Sequence, residues 1–107
     1  MNELKRSRPI RLTDMEKKII TGTAQEVFGP TVKVYLFGSR TDIQKKGGDI
    51  DLLIVSDQQI SIAQQLKFLA RIEFKGIERK VDLLIVAPGV LQKSIHKNAI
   101  SHGVRIL

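Results

Sequence analysis

The chain has 107 residues, 42% hydrophobic and 27% charged, a composition that suits one folded domain and leaves no room for a second core. Eighteen Lys and Arg against eleven Asp and Glu leave a net charge of +7, which suits a nucleotide, nucleic acid or an acidic partner protein. Cysteine is missing, so disulfides and thiolate metal sites are excluded, and with 5% aromatic residues a base-stacking platform for single strands is not expected. No apolar run approaches the roughly 20 residues of a membrane span. The opening MNELKRSRPIR lacks the apolar stretch of a secretory signal, so a cytoplasmic protein is expected.

In chain order, residues 1–12 read as a basic arm carrying Lys5, Arg6, Arg8 and Arg11, and residues 13–107 as a single domain. Thr13-Asp14-Met15-Glu16 has the form of a capping box. Met15, Ile19, Ile20, Ala24, Val27 and Phe28 follow at helical spacing, predicting a first helix from Asp14 to Phe28 that Gly29-Pro30 ends. A strand is predicted from Val32 to Phe37, then a polar stretch from Thr41 to Gly48 with one loose helical turn. A second strand starts near Asp49 and runs to Val55. Ile62, Ala63, Leu66, Leu69, Ala70 and Phe74 make one face of a helix over Ser61 to Lys75, with Gly76 as its stop. Lys80 to Val86 reads as a third strand, Val90 to Ser101 as a third helix, and Val104 to Leu107 as a short closing strand. Strands joined by helices imply an α/β (α+β) domain with a small mixed sheet flanked by helices.

The chemistry concentrates between Val34 and Val55. Side chains alternate across a strand, so Asp49 and Asp51 point one way while Ile50 points into the core. Two carboxylates side by side repel each other, and a divalent cation relieves the conflict. Mg²⁺ suits them, because it takes carboxylate oxygens and is commonly shared with substrate phosphates. The run Asp51-Leu52-Leu53-Ile54-Val55 recurs as Asp82-Leu83-Leu84-Ile85-Val86. If those strands are neighbours, Asp82 joins Asp49 and Asp51 at one end of the sheet, giving three carboxylates suited to two metal ions. Gly38-Ser39, just after a strand, can offer backbone N–H groups and a hydroxyl to phosphate, and Arg40 adds a forked cation. Phosphate binders at one strand end and paired carboxylates at the next describe a metal-assisted phosphoryl-type transfer site.

Leu36-Phe37-Gly38-Ser39-Arg40 followed by Asp49-Ile50-Asp51-Leu52 resembles the signature of the DNA polymerase β-like nucleotidyltransferase superfamily. The small size resembles its minimal, MNT-type members, and the similarity runs from the first helix to Ala99-Ile100-Ser101-His102-Gly103-Val104. The resemblance implies that Asp49, Asp51 and Asp82 hold two Mg²⁺ ions, with Mn²⁺ as a substitute. It gives Gly38 and Ser39 to the phosphates of a nucleoside triphosphate, ATP being expected, with Arg40 beside them as the nucleotide-binding cation read above. It also implies a partner, a helical HEPN-domain toxin that receives AMP, with this chain as the antitoxin of the pair. Two departures stand out: Gly47-Gly48 occupies the place where many members carry Ser, and Thr41-Asp42-Ile43 stands shortly after Arg40 where a second arginine is often found.

Competing readings are a catalytically weak or inactive antitoxin of the same fold that acts by binding its partner, and a phosphatase using Asp-x-Asp as nucleophile and acid. The phosphatase is rejected because its first aspartate would follow a hydrophobic strand, whereas Asp49 precedes one. Nucleic acid is the rival ligand for the basic charge. His96 and His102 read as solvated or partly packed side chains and Lys45-Lys46 as a charged loop tip. In the expected reaction an acceptor hydroxyl attacks the α-phosphate in line, with Asp82 also a candidate general base.

Overall fold

The structure, a computed structural model, describes residues 12–37 and 49–107. In chain order it runs α1 (Asp14–Phe28), β1 (Lys33–Phe37), β2 (Ile50–Val55), α2 (Ile62–Lys75), β3 (Val81–Val86), α3 (Ser94–His102) and β4 (Val104–Arg105). The strands form one mixed sheet in the order β3-β2-β1-β4. β1 pairs antiparallel with β2 and with β4, while β2 and β3 are parallel, as a strand–helix–strand crossover requires. The architecture is therefore the α+β arrangement expected from the alternation of elements.

α1 begins where its capping residues place it. The Thr13 hydroxyl accepts from the Glu16 N–H at 3.0 Å, and the Glu16 carboxylate accepts from the Thr13 N–H at 3.0 Å. The same carboxylate receives Arg79 at 2.9 Å, tying the start of α1 to the loop before β3. α2 repeats the device with Ser61 and Gln64. It stops at Gly76, whose φ of 126° is a conformation that side chains with a Cβ rarely adopt.

Strand alternation sorts the sheet into two faces. Val34, Ile50, Leu52, Ile54 and Ile85 pack with Ile20, Ala24 and Phe28 of α1 and Phe68 and Ile72 of α2 into the main core. The Phe28 and Phe68 rings meet at a centroid distance of 5.2 Å, tilted by 39°, and lock the two helices together. On the opposite face the fully buried Leu53 lies on the side that α3 covers, and α3 buries its own His96 and Ala99.

Three expectations need correction. Met15 is exposed instead of joining the core face of α1, where Thr23 is buried in the company of Ile20 and Ala24. On α2 the buried side chains are Phe68 and Ile72 with Leu69 partly buried, while Ile62, Leu66 and Phe74 face solvent. The helix carries two apolar stripes, and the one bearing the large Phe68 ring fills the space against Phe28. α3 starts at Ser94 and not Val90, because a turn closed by the Val90 N–H on the Ala87 carbonyl, with Gly89 at φ 88°, holds the preceding residues out of helix. Among the described residues no helix is long and apolar enough to cross a membrane.

Candidate active site

The β2–β3 pairing places the two repeated runs in matching register, Asp51 opposite Asp82, Leu52 opposite Leu83, and so on to Val55 opposite Val86. The Ile50 N–H donates to the Lys80 carbonyl at 2.9 Å, and the Ser56 N–H to the Val86 carbonyl at 2.9 Å, closing both ends of the ladder. Leu52, Ile54 and Ile85 go to the core, so Asp51 and Asp82 are carried to the other face, at the start of their strands. Adjacent strands lie about 4.8 Å apart, which brings the two carboxylate-bearing backbones as near as a sheet allows.

Asp49 lies one residue ahead of β2 and two before Asp51, and it is exposed. Asp51 is half-buried and Asp82 exposed. Lys80 Nζ stands 3.7 Å from an Asp82 oxygen and offsets part of the local negative charge. Both side chains of that pair are well exposed, at 71% and 50%, so solvent screens it and its contribution to stability is small. Among the described residues no three Asp, Glu, His or Cys side chains are gathered closely enough to hold a metal ion. The expected trio is thus an adjacent pair, Asp51 and Asp82, with Asp49 at the strand entrance.

The third wall comes from β1. Phe37, the last residue of β1, is the register partner of Asp51. Gly38, Ser39 and Arg40 lie outside the described residues, as do Lys45 and Lys46. What supports Phe37 from below is described: the end of α3 turns into β4 at Gly103, whose N–H donates to the Ala99 carbonyl at 2.9 Å. A Cβ at Gly103 would run into that carbonyl oxygen, would lie 3.0 Å from the Leu36 carbonyl oxygen and would lie 3.4 Å from the Phe37 Cβ. Only glycine lets α3 come this close to the end of β1.

A parallel sheet end with carboxylates on two neighbouring strands is a place for a hard cation and a phosphate-bearing ligand. The family model described as polymerase beta, nucleotidyltransferase matches residues 17–107, nearly the whole chain. The chain belongs to this nucleotidyltransferase family. Membership makes it a nucleotidyltransferase-fold domain. No curated protein matches the chain.

Lys80 at the site and His96 at the start of α3 were not visible from motifs. Lys80 precedes Asp82 by two residues, so strand alternation alone could have put it on the aspartate side. His96 is buried, and its Nδ1 accepts the Lys93 N–H at 3.0 Å, which makes it the cap of α3. His102 is exposed with its Nδ1 3.3 Å from the Asn98 carbonyl.

Proposed function

We propose that this chain transfers a nucleoside monophosphate, AMP from ATP, to a hydroxyl of a partner protein, as the antitoxin of a minimal nucleotidyltransferase pair with a HEPN-domain toxin. The observation that carries the transfer is the in-register pairing of Asp51 with Asp82 beside Phe37, in a chain of the polymerase beta nucleotidyltransferase family. The donor set fits a divalent cation by its chemistry, since carboxylate oxygens on neighbouring strands are what Mg²⁺ or Mn²⁺ prefers. Asp51 and Asp82 would hold such an ion between them, and the resemblance adds Asp49, at the strand entrance, as the third carboxylate of a two-ion site. Bound there, such ions would neutralise phosphate charge and make the acceptor hydroxyl a better nucleophile.

The chain's own groups supply the rest. Gly38 and Ser39 give N–H and hydroxyl donors to the triphosphate, and Arg40 gives a guanidinium. The acceptor oxygen forms a bond to the α-phosphorus while the bond to the bridging oxygen breaks and pyrophosphate leaves. The hydroxyl proton passes to the Asp82 carboxylate. Lys80, with its Nζ 3.7 Å from one oxygen of that carboxylate, adds positive charge beside it. Partner and acceptor rest on the resemblance to minimal nucleotidyltransferases and on the net charge of +7, which suits an acidic surface.

A second reading draws on Lys80. A protein cation 3.7 Å from Asp82 compensates charge that a metal otherwise would, which suits a domain that binds its partner without chemistry. One experiment separates the two. The protein is incubated with ATP labelled at the α-phosphate, Mg²⁺, and either the HEPN-type product of a neighbouring gene or total RNA. Label on the protein partner, lost with Asp51→Asn, is expected. Label on RNA alone overturns the acceptor, and stable complex formation without label supports the binding-only reading.

A further inference from the structure

The outward side of α2 carries two parallel ridges of residues spaced four apart. Ile62, Leu66, Ala70 and Phe74 form an apolar ridge, and Lys67, Arg71 and Lys75 form a basic one beside it. Among the described residues the large side chains of this ridge stay mostly exposed: Ile62 is 71% exposed, Leu66 61% and Phe74 92%. A ridge of this kind over three helical turns exposes more contiguous large apolar surface than scattered single residues do. The helix does not need it for its own fold, because Phe68 and Ile72 already anchor α2 to the core. Beyond the ridge lies a recess of about 370 Å³ whose lining is mixed, the apolar Leu69, Ile72, Ile77 and Val81 alternating with the charged Glu73, Glu78, Arg79 and Lys80.

The charges decide what fits. Glu26 of α1 takes Lys75 at 3.0 Å and Arg71 at 3.7 Å, one carboxylate against a row of three cations, so the basic ridge keeps an excess of positive charge. A second copy of the chain would bring a like ridge and another net charge of +7 against it. We propose that the Ile62–Phe74 ridge of α2 docks an acidic amphipathic helix of a different protein, its apolar side against Ile62, Leu66 and Phe74 and its carboxylates against Lys67, Arg71 and Lys75. The surface lies over the core face of the sheet, and Asp51 and Asp82 are on the other face. A partner held here leaves the aspartates open, so the inference stands apart from the transfer chemistry.

The test needs neither nucleotide nor metal, and its failure therefore does not touch the transfer reading. A fluorescein-labelled helical peptide with leucines at three- and four-residue spacing and glutamates along the flanking row is titrated by anisotropy. Its twin carries lysines in place of the glutamates. The acidic peptide should bind, the lysine twin should bind at least roughly tenfold more weakly, and added salt should weaken the acidic one. Leu66→Ala and Phe74→Ala, both exposed and so not expected to unfold the domain, should each cost roughly tenfold in affinity. Lys67→Glu should do the same. Equal binding of the two peptides, no binding of the acidic one, or binding indifferent to Leu66→Ala and Phe74→Ala overturns the proposal. So does sedimentation of the unliganded protein as a dimer that Leu66→Ala dissociates, which assigns the ridge to a second copy.

Discussion

Gly103→Ala and Gly22→Ala make the same chemical change and should move stability in opposite directions. At Gly103 the new methyl would meet the Ala99 carbonyl oxygen, with the Leu36 carbonyl oxygen 3.0 Å and the Phe37 Cβ 3.4 Å away. Two of these three neighbours are backbone atoms held in the α3 cap and the β1–β4 pairing, so they cannot swing aside. Forcing a methyl into such a space costs about 1–3 kcal/mol. For a domain of this size each kcal/mol moves the melting point by about 4–8 °C, so the variant should melt roughly 5–20 °C below the parent. Gly22 lies inside α1, and a methyl added there would have nothing within 4 Å, so alanine gains helix propensity without a clash. That is worth about 0.5–1 kcal/mol, a rise of a few degrees. Thermal unfolding followed by circular dichroism reads both. Because Phe37 sits opposite Asp51, Gly103→Ala should also weaken binding of ATP with Mg²⁺ at temperatures where the variant is still folded. A Gly103→Ala protein as stable as the parent would refute the packing argument, and intact nucleotide affinity would cut its link to the site.

Replacing Asp51 or Asp82 by Asn should abolish the rise in melting temperature that Mg²⁺ with ATP confers on the parent; an undiminished rise in both variants would remove the pair from the site. Phe68→Ala, which empties the fully buried ring site against Phe28, should cost about 3–5 kcal/mol in urea unfolding, whereas Phe74→Ala should cost almost nothing. Glu26 titrates below its ordinary value, chiefly because Lys75 donates a hydrogen bond to it and adds its charge, with Arg71 and Lys67 reinforcing. A carboxylate lowered in the folded state contributes stability above its unfolded value and loses it as pH falls through the folded one. The stability gap between the parent and Glu26→Gln should therefore be present at neutral pH, shrink as the pH falls below the ordinary value of 4.5, and vanish in stronger acid. A gap that stays constant in acid would refute that assignment.

Much of the fold was legible because local chemistry and tertiary structure agree. The Thr13–Glu16 box and Gly29 bound α1 at the residues their side chains predict, and the repeated Asp-Leu-Leu-Ile-Val runs pair in register. The α2 face was not legible, since Ile62, Leu66 and Phe74 have the same spacing as a core stripe. Only the fit of Phe68 against Phe28 decides which stripe turns inward. The start of α3 was hidden for a similar reason. Val90 and Leu91 look like helix residues, but the turn at Pro88-Gly89 and the cap that His96 gives Lys93 delay the first turn. At the site, Asp51 and Asp82 could be placed from alternation and the echo between strands, because both depend only on backbone geometry. Lys80 at Asp82 and Gly103 beneath Phe37 depend on which elements come together, and a motif does not carry that information.

The pairing of β2 with β3 makes stability and site assembly one event. A strand's side chains change face with every residue, so a one-residue slip of β3 would turn Asp82 into the core and Leu83 and Ile85 out of it. Burying an unpaired carboxylate costs several kcal/mol, comparable to the whole stability of a small domain. The slipped register would also lose the burial of Ile85 against the core. A two-residue slip keeps the faces but moves Asp82 two residues along from Asp51, and it breaks the closing bonds from Ile50 to Lys80 and from Ser56 to Val86. The apolar residues that follow each aspartate therefore fix where the carboxylates meet, although none of them carries any chemistry. A substitution such as Ile85→Ala, far along the strand from Asp82, should lower the cost of misalignment. It should loosen divalent-cation binding more than a loss of equal stability in α1, for example from Ala24→Gly. Titration of Mn²⁺ into two such variants matched for melting temperature measures the difference, and equal affinities would show that register is held elsewhere.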